Sequence, residues 1–262
     1  MLRRVADYVL DHALAGEQGR LELMGRLLDP FHRRMLQRAG IRPGWRCLEV
    51  GCGTGSVSAW MAERVWPTGE AVATDLEPGF AEPRAGGNLE VQRLDIVNDE
   101  IPPESYDLVT GRAVLHHIPG RDALVPKHAS AVRPGGAHVL IEPDWVARDL
   151  ADDGDEEFRL AWLAWAEASG IDYFIGSRLG RLVADSGLEN VESVGEVGMF
   201  NGGSPWAHYW IATLEVLRAQ LTASVHFDED LIKRTFARWR DTGRWTMTNA
   251  YTAAVGWQPT GD

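Results

Sequence analysis

Glu49-Val50-Gly51-Cys52-Gly53-Thr54-Gly55 is the stretch whose reading decides the fold. Three glycines alternate with small residues directly after the apolar run Trp45 to Val50, which reads as a strand. Ser56 to about Val65 follows with helical character. A glycine turn between strand and helix lets backbone approach a ligand without a Cβ in the way, and the helix aims its free N–H groups at that ligand. Outward from this unit the same alternation continues. Pro67-Thr68-Gly69 turns the chain into a second strand, Glu70 to Thr74, closed by Asp75. Leu89 to Leu94 is a third, closed by Asp95; Tyr106 to Thr110 is a fourth and Ala137 to Glu142 a fifth. A helix is expected over Arg121 to Val132, ended by Pro134-Gly135-Gly136. Strands alternating with helices imply an α/β fold with a parallel sheet and right-handed crossovers. One crossover is short: the twelve residues Leu76 to Gly87 hold two prolines and three glycines, so a loop or a single turn is expected there.

The flanks differ from this core. Residues 5–39 read as helical, with Leu28-Asp29-Pro30-Phe31 predicting the end of one helix and the start of another, Asp29 as N-cap and Pro30 in the first turn. After Ala151 an acidic run opens a helix carrying Phe158, Trp162 and Trp165. Further helices are expected over 176–186, 204–220 and 227–241, with strands at Val191 to Met199 and Trp245 to Trp257. The segment Phe200 to Arg244 is far longer than a hairpin turn between those strands requires, so it is expected to fold as a helical cover over the carboxyl edge of the sheet. The organisation expected is an N-terminal helical cap over 1–40, then one domain over 41–262 with a helical insert at about 200–244.

Composition narrows the partners. The 262 residues carry a formal net charge of −12, which disfavours nucleic acid as the main partner. The only cysteines, Cys47 and Cys52, form neither a disulfide framework nor a zinc spacing and read as buried free thiols. The amino-terminal residues lack a signal-peptide pattern, and no apolar run reaches the roughly 18 residues of a membrane helix, so a cytoplasmic protein without membrane attachment is expected. A homodimer stays open.

The chemistry-bearing residues converge on one sheet edge. Asp75 closes its strand twenty residues after Gly55, placed to accept bonds from both hydroxyls of a ribose. Asp95 can accept from an adenine amino group, with Leu76 and Ile96 flanking the ring. Either acid could instead cap a turn. With these residues in place, the chain resembles the class I S-adenosylmethionine-dependent methyltransferases. The resemblance covers about residues 41–145 and rests on Leu48-Glu49-Val50-Gly51-Cys52-Gly53-Thr54-Gly55, Asp75, Leu94-Asp95-Ile96, Tyr106-Asp107-Leu108-Val109, Val114-Leu115-His116-His117-Ile118 and Val132-Arg133-Pro134-Gly135-Gly136. The opening helices, with Tyr8 and Leu28-Asp29-Pro30-Phe31, are similar to a bacterial subgroup that modifies small metabolites. The resemblance implies a Rossmann-like, seven-stranded, mostly parallel sheet with helices on both faces, and S-adenosyl-L-methionine as cofactor. It implies that the backbone around Gly51 and Gly53 holds the amino-acid part of the cofactor, with Gly55 also at the cofactor, that Glu49 orients the loop or reaches the cofactor amino group through water, and that Arg112 pairs with the methionine carboxylate or braces the pocket. Tyr8 would close over the cofactor.

The expected activity is methyl transfer to a small molecule, of secondary metabolism and with an aromatic acceptor as one option. The sulfonium already activates the methyl group, so the protein must align the acceptor and exclude water. A base is needed where the acceptor must lose a proton, and His117 and His116 are the candidates. Asp144 and Trp145 are expected at the acceptor, with Tyr173, Trp206, His208, Tyr209 and Trp210, although Trp145 reads equally as core and aromatic residues at helix spacing are more often core. The chain has eleven tryptophans, and seven follow Trp145, outside the common core, which is where acceptor choice is expected to reside. No metal-ligand spacing is visible. The rival readings are an NAD-dependent oxidoreductase, disfavoured because the loop is G-x-G-x-G and not G-x-G-x-x-G, and a non-methylating enzyme of the same fold such as a cyclase.

Overall fold

The computed structural model describes residues 9–149 and 154–261. Seven strands form one sheet: β1 (Arg46–Val50), β2 (Glu70–Asp75), β3 (Leu89–Arg93), β4 (Tyr106–Arg112), β5 (Val132–Asp144), β6 (Glu189–Phe200) and β7 (Thr246–Trp257). Their order is β3-β2-β1-β4-β5-β7-β6. The first five run parallel, and β7 pairs antiparallel with both β5 and β6. Strand order reverses between the neighbours β1 and β4, which opens a crevice at the carboxyl ends where open α/β sheets bind ligands.

The helices are α1 (Glu17–Arg38), α2 (Ser56–Val65), α3 (Leu124–Ser130), α4 (Val146–Asp149), α5 (Glu156–Ala168), α6 (Gly176–Asp185), α7 (Pro205–Ala223) and α8 (Glu229–Trp239). Alternation along the strands divides the core. Cys47, Ala73, Leu108, Val139 and Ile141 face the layer of α1 and α2. Leu48, Val72, Val109 and Leu140 face that of α3 and α6, where Leu179, Leu182 and Val183 form one stripe. A third cluster lies off the sheet edge, built from aromatic residues of α5, α7 and α8, with Phe158, Trp162, Trp210 and Trp239 at its centre. Local chemistry sets the starts of two of these helices. Ser204 accepts the Ala207 N–H at 3.3 Å ahead of Pro205, and Asp228 accepts the Leu231 N–H at 2.7 Å ahead of Glu229 and Asp230.

Three expectations require correction. The Leu28-Asp29-Pro30 stretch does not divide two helices: α1 runs through Pro30 without a break. A helix interior tolerates the lost N–H when packing outweighs it, and here Leu28, Phe31 and Met35 are all buried. Asp29 is not an N-cap, because Arg112 donates to its carboxylate at 3.0 Å. Ahead of α1, residues 9–16 form turns instead of a helix. The segment expected as one helix over Arg121 to Val132 is a 3-10 turn followed by the shorter α3, and Val132 already belongs to β5. The short Leu76–Gly87 crossover is two 3-10 turns, Pro78–Phe80 and Glu82–Arg84.

Candidate active site

The glycine loop leaves β1 in a left-handed conformation that only glycine adopts without strain. Gly51 has φ +68°, and a Cβ there would lie 2.2 Å from Cγ2 of Val114. The loop is tied to its neighbours by carboxylates. Gly53 N–H donates to Asp75 Oδ2 at 2.9 Å, and Glu77 N–H to Oδ1 at 3.2 Å. A carboxylate has about four lone-pair sites, so Asp75 keeps acceptor capacity toward the crevice. Glu49 is buried beneath the loop and accepts from the Ser58 hydroxyl. Burial pushes its carboxyl up to about 7, against the Ser58 bond and the Arg112 charge. Asp95 accepts from Val97 N–H, Asn98 N–H and the Asn98 amide. Burial alone would raise its carboxyl, but those bonds outweigh it and hold it below the ordinary range. Burial also raises both free thiols, Cys47 and Cys52, which stay protonated.

One cavity of about 240 Å³ joins this nucleoside half to an aromatic half. Glu49, Gly51, Gly53, Asp75, Leu76, Asp95, Ile96 and Arg112 line the first half; Tyr173, Tyr209 and Trp210, with His116 and His117, line the second. Gly55 does not reach it. It caps α2 with φ +70° and packs on Ala81. Tyr8 lies outside the described residues. Arg112 is committed to Asp29 and so braces α1 against β4 while its side chain borders the cavity.

Four acceptor-side expectations are not met by the geometry. Asp144 is buried, with Oδ1 taking the Val146 N–H at 2.8 Å at the start of α4; its neighbour Pro143 reaches the cavity instead. Trp145 is 1% exposed and stands behind the wall, against Trp162, Tyr173 and Trp210. Trp206 packs on β6, where a Cβ at Gly198 would meet its Nε1 at 2.5 Å, and stacks on Tyr251. His208 is exposed on the outer side of α7.

The cavity also contains residues that were not foreseen. Trp165 and Ser169 enter from α5 and the turn after it, Asn249 and Tyr251 from β7, and Arg20 from α1. Arg20 is 3% exposed and forks onto Glu17 at 2.6 and 2.7 Å, with its third nitrogen 3.4 Å from the Tyr209 hydroxyl. Burial first, and Tyr209 next, hold the Tyr251 phenol well above its ordinary value, so it stays protonated. Glu142 was overlooked entirely. Its fully buried carboxylate accepts the backbone N–H groups of Val114, Leu115 and His116 and lies 2.9 Å from His116 Nδ1. A signal existed: an acid on an otherwise apolar buried strand, in phase with Leu140.

Comparison with known proteins agrees with this geometry. A family profile described as methyltransferase domain matches residues 20–193. The nocamycin O-methyltransferase of Saccharothrix syringae is 35% identical over 121 residues, 44% of this chain and 43% of that protein. The ubiquinone/menaquinone biosynthesis C-methyltransferase UbiE of Cupriavidus necator is 28% identical over 178 residues, 60% of this chain and 72% of that protein. The match thus spans under half of the first relative and nearly three quarters of the second. Among solved structures, Haemonchus contortus phosphoethanolamine N-methyltransferase 2, in complex with S-adenosylhomocysteine, superposes with a TM-score of 0.57 at 16% identity, covering 86% of this chain and 51% of that one. The similarity thus extends to proteins named for O-, C- and N-methylation, by sequence for the first two and by fold for the third.

Proposed function

The chain belongs to the class I S-adenosylmethionine-dependent methyltransferases, and from that premise we propose that it transfers the methyl group of S-adenosyl-L-methionine to a small-molecule acceptor enclosed beneath its helical cover. The observation that carries this reading is the continuity of the cavity, which runs from the glycine loop, Asp75 and Asp95 into a chamber walled by Tyr173, Tyr209 and Trp210. The residues present fit the cofactor. Three carboxylates, Glu49, Asp75 and Asp95, line the nucleoside half. They suit a ligand with a diol, two amines and a sulfonium, and they oppose the pyrophosphate of a dinucleotide. When bound, the cofactor supplies an activated methyl group.

The chain's own residues do the rest. Asp75 accepts from the ribose, Asp95 from the adenine amine, and the backbone at Gly51 and Gly53 admits the amino-acid portion at close range. Arg112 holds α1 over the site. Aromatic walls exclude water and orient a flat acceptor, which is where most of the acceleration of such a transfer arises. A chamber covered by α1, α5 and α7, together with a net charge of −12, supports a small molecule over a nucleic acid. Calorimetry with S-adenosylmethionine and S-adenosylhomocysteine is expected to show binding, with none comparable for NAD. Labelled cofactor incubated with a metabolite extract is expected to mark one class of small molecule. NAD binding without S-adenosylmethionine binding would overturn the reading.

A further inference from the structure

Glu142 and His116 form a buried pair that the cofactor site does not use. The turn Leu115–His117 wraps the end of β5 so that three successive N–H groups converge on Glu142 at 3.0, 2.8 and 3.2 Å. The fourth contact is the ring nitrogen Nδ1 of His116, at 2.9 Å. Burial lifts the Glu142 carboxyl to about 7, but three N–H donors aimed at it favour the ionised form, so the carboxyl is the acceptor of the pair and the ring is the donor. That arrangement fixes the tautomer: Nδ1 carries the proton and Nε2 carries the lone pair. Among the described residues no hydrogen bond falls on Nε2, and the ring borders the aromatic half of the cavity, 3.7 Å from the ring of His117 and 5.5 Å from that of Tyr173. The Asp172 N–H grips the His116 carbonyl at 2.8 Å and pins the turn to the segment leading to Tyr173.

We propose that His116 is the general base of the reaction, that Glu142 is its positioning residue, and that the acceptor is an aromatic hydroxyl methylated on oxygen. This rests on the methyltransferase reading above. The acceptor O–H bond breaks with its proton passing to Nε2 of His116, an O–CH3 bond forms from the oxygen lone pair, and the electrons of the donor C–S bond remain on sulfur. The positive charge lost at sulfur reappears on the imidazole, beside the Glu142 carboxylate. Burial first, and the charges of Arg121 and Arg20 next, lower the ring to about 3, so it is neutral at rest and takes the proton only as positive charge leaves sulfur and Glu142 offsets the imidazolium. The acceptor class follows from the walls. A methylated amine becomes cationic and calls for a carboxylate beside it, but among the described residues the acids that reach the cavity, Glu49, Asp75 and Asp95, all stand in the nucleoside half. Glu17 and Glu142 are wholly buried behind Arg20 and His116. A phenol needs only a base and a flat slot, and both are present.

Two measurements test this. Nitrogen-15 NMR of histidine-labelled protein saturated with S-adenosylhomocysteine, with His116 assigned from His116→Gln, is expected to show a protonated Nδ1 and a bare Nε2 at neutral pH. Glu142→Gln is expected to mix the tautomers. A proton on Nε2 in the unaltered protein overturns the proposal, and this readout needs no acceptor. With the acceptor recovered from extract, His116→Gln is expected to lower kcat by about 10²–10⁴-fold with KM for S-adenosylmethionine unchanged. His117→Gln is expected to cost less than about tenfold on that same scale, and the product is expected to be a methyl ether. A methyl found on nitrogen or carbon, or a His116→Gln rate within tenfold of the original, removes the inference and leaves the methyltransferase reading standing. Loss of cofactor binding by the unaltered protein would instead remove that reading.

Discussion

Asp75 tethers the glycine loop through Gly53 N–H and also lines the cavity, where the proposed reading has it accept from the ribose. Asp75→Ala is therefore expected to lose about 2–3 kcal/mol of S-adenosylhomocysteine affinity, since bonds to a charged acceptor contribute about 1.5–3 kcal/mol. A smaller loss of stability should accompany it, from the freed Gly53 N–H. Calorimetry and a thermal melt of the same variant separate the two. Unchanged affinity would leave Asp75 with the tether alone. Buried histidines set the acid limit of the fold. His32, His116, His117, His128 and His138 are all pushed below the ordinary value of 6.5, burial being the first cause in each. A group with a depressed folded pKa binds fewer protons folded than unfolded, so its contribution is present above 6.5 and is lost as pH falls toward the folded value. For His128, held at about 4, that loss is about 3 kcal/mol across the window. Glu49 and Glu142, raised to about 7, work in the opposite sense, contributing below 4.5 and losing that contribution as pH rises to 7. Five groups outweigh two, so stability is expected to fall between pH 6.5 and 4. Among the described residues, His128 and His138 have no partner on either ring nitrogen, and they sit edge to face at 5.8 Å. The double change His128→Leu/His138→Leu is expected to flatten that acid slope without loss at neutral pH, as read by urea titrations across pH. An unaltered slope would assign the limit elsewhere.

At the scale of elements, helix phase decides which side chains face the cavity. In α7, Tyr209, Thr213 and Leu217 recur every four residues and share the cavity face with Trp210, whereas His208 points outward. Tyr209→Phe is accordingly expected to raise acceptor KM about three- to tenfold, the worth of roughly one hydrogen bond, with cofactor affinity retained. His208→Ala is expected to leave both constants unchanged. Equal effects from the two would place the acceptor outside the cover. The α/β core was legible because each strand ends in a residue type that breaks it: Gly51, Asp75 and Asp95 mark the ligand edge directly. The half of the cavity beside the glycine loop follows from those same ends. The acceptor half was only partly legible, because Trp206, His208, Tyr209 and Trp210 were grouped by type without being phased around the helix. Tryptophans of α5 read equally well as core, and most are core; only the three-dimensional packing turns Trp165 into the cavity while Trp162 stays behind it. Asp144 and Trp145 were misplaced because the chain turns into α4 directly after Pro143, which carries them off the edge. Glu142 was hidden by its apolar neighbours, though strand alternation sets it on the face of Leu140, where the His116 turn packs. Pro30 misled through a sound local rule that tertiary burial overrode.

For the molecule as a whole, the question is whether the cover and the sheet behave as one body. The aromatic cluster of α5, α7 and α8 is a separate core by composition, yet Met24, Leu27 and Trp206 each pack against both it and the α1–α2 layer. The cavity lies along that seam, with walls from α1, α5, α7 and the sheet edge. A ligand filling it touches every layer and binds only the folded chain, so it stabilises them together. S-adenosylhomocysteine at 100 times its Kd is worth about 2.7 kcal/mol by mass action. For a chain of this size each kcal/mol moves Tm by about 2–4 °C, so a rise of about 5–10 °C in a single transition is expected from a calorimetric scan. NAD at the same concentration is expected to produce none. If the cover were an independent unit, the scan would resolve two transitions and the ligand would move only the one belonging to the sheet. Met24→Ala sharpens the distinction, because it removes a side chain that belongs to both clusters. In a cooperative chain it lowers the one transition and weakens ligand binding in step; in a divided chain it splits the transition while the sheet's response to ligand survives.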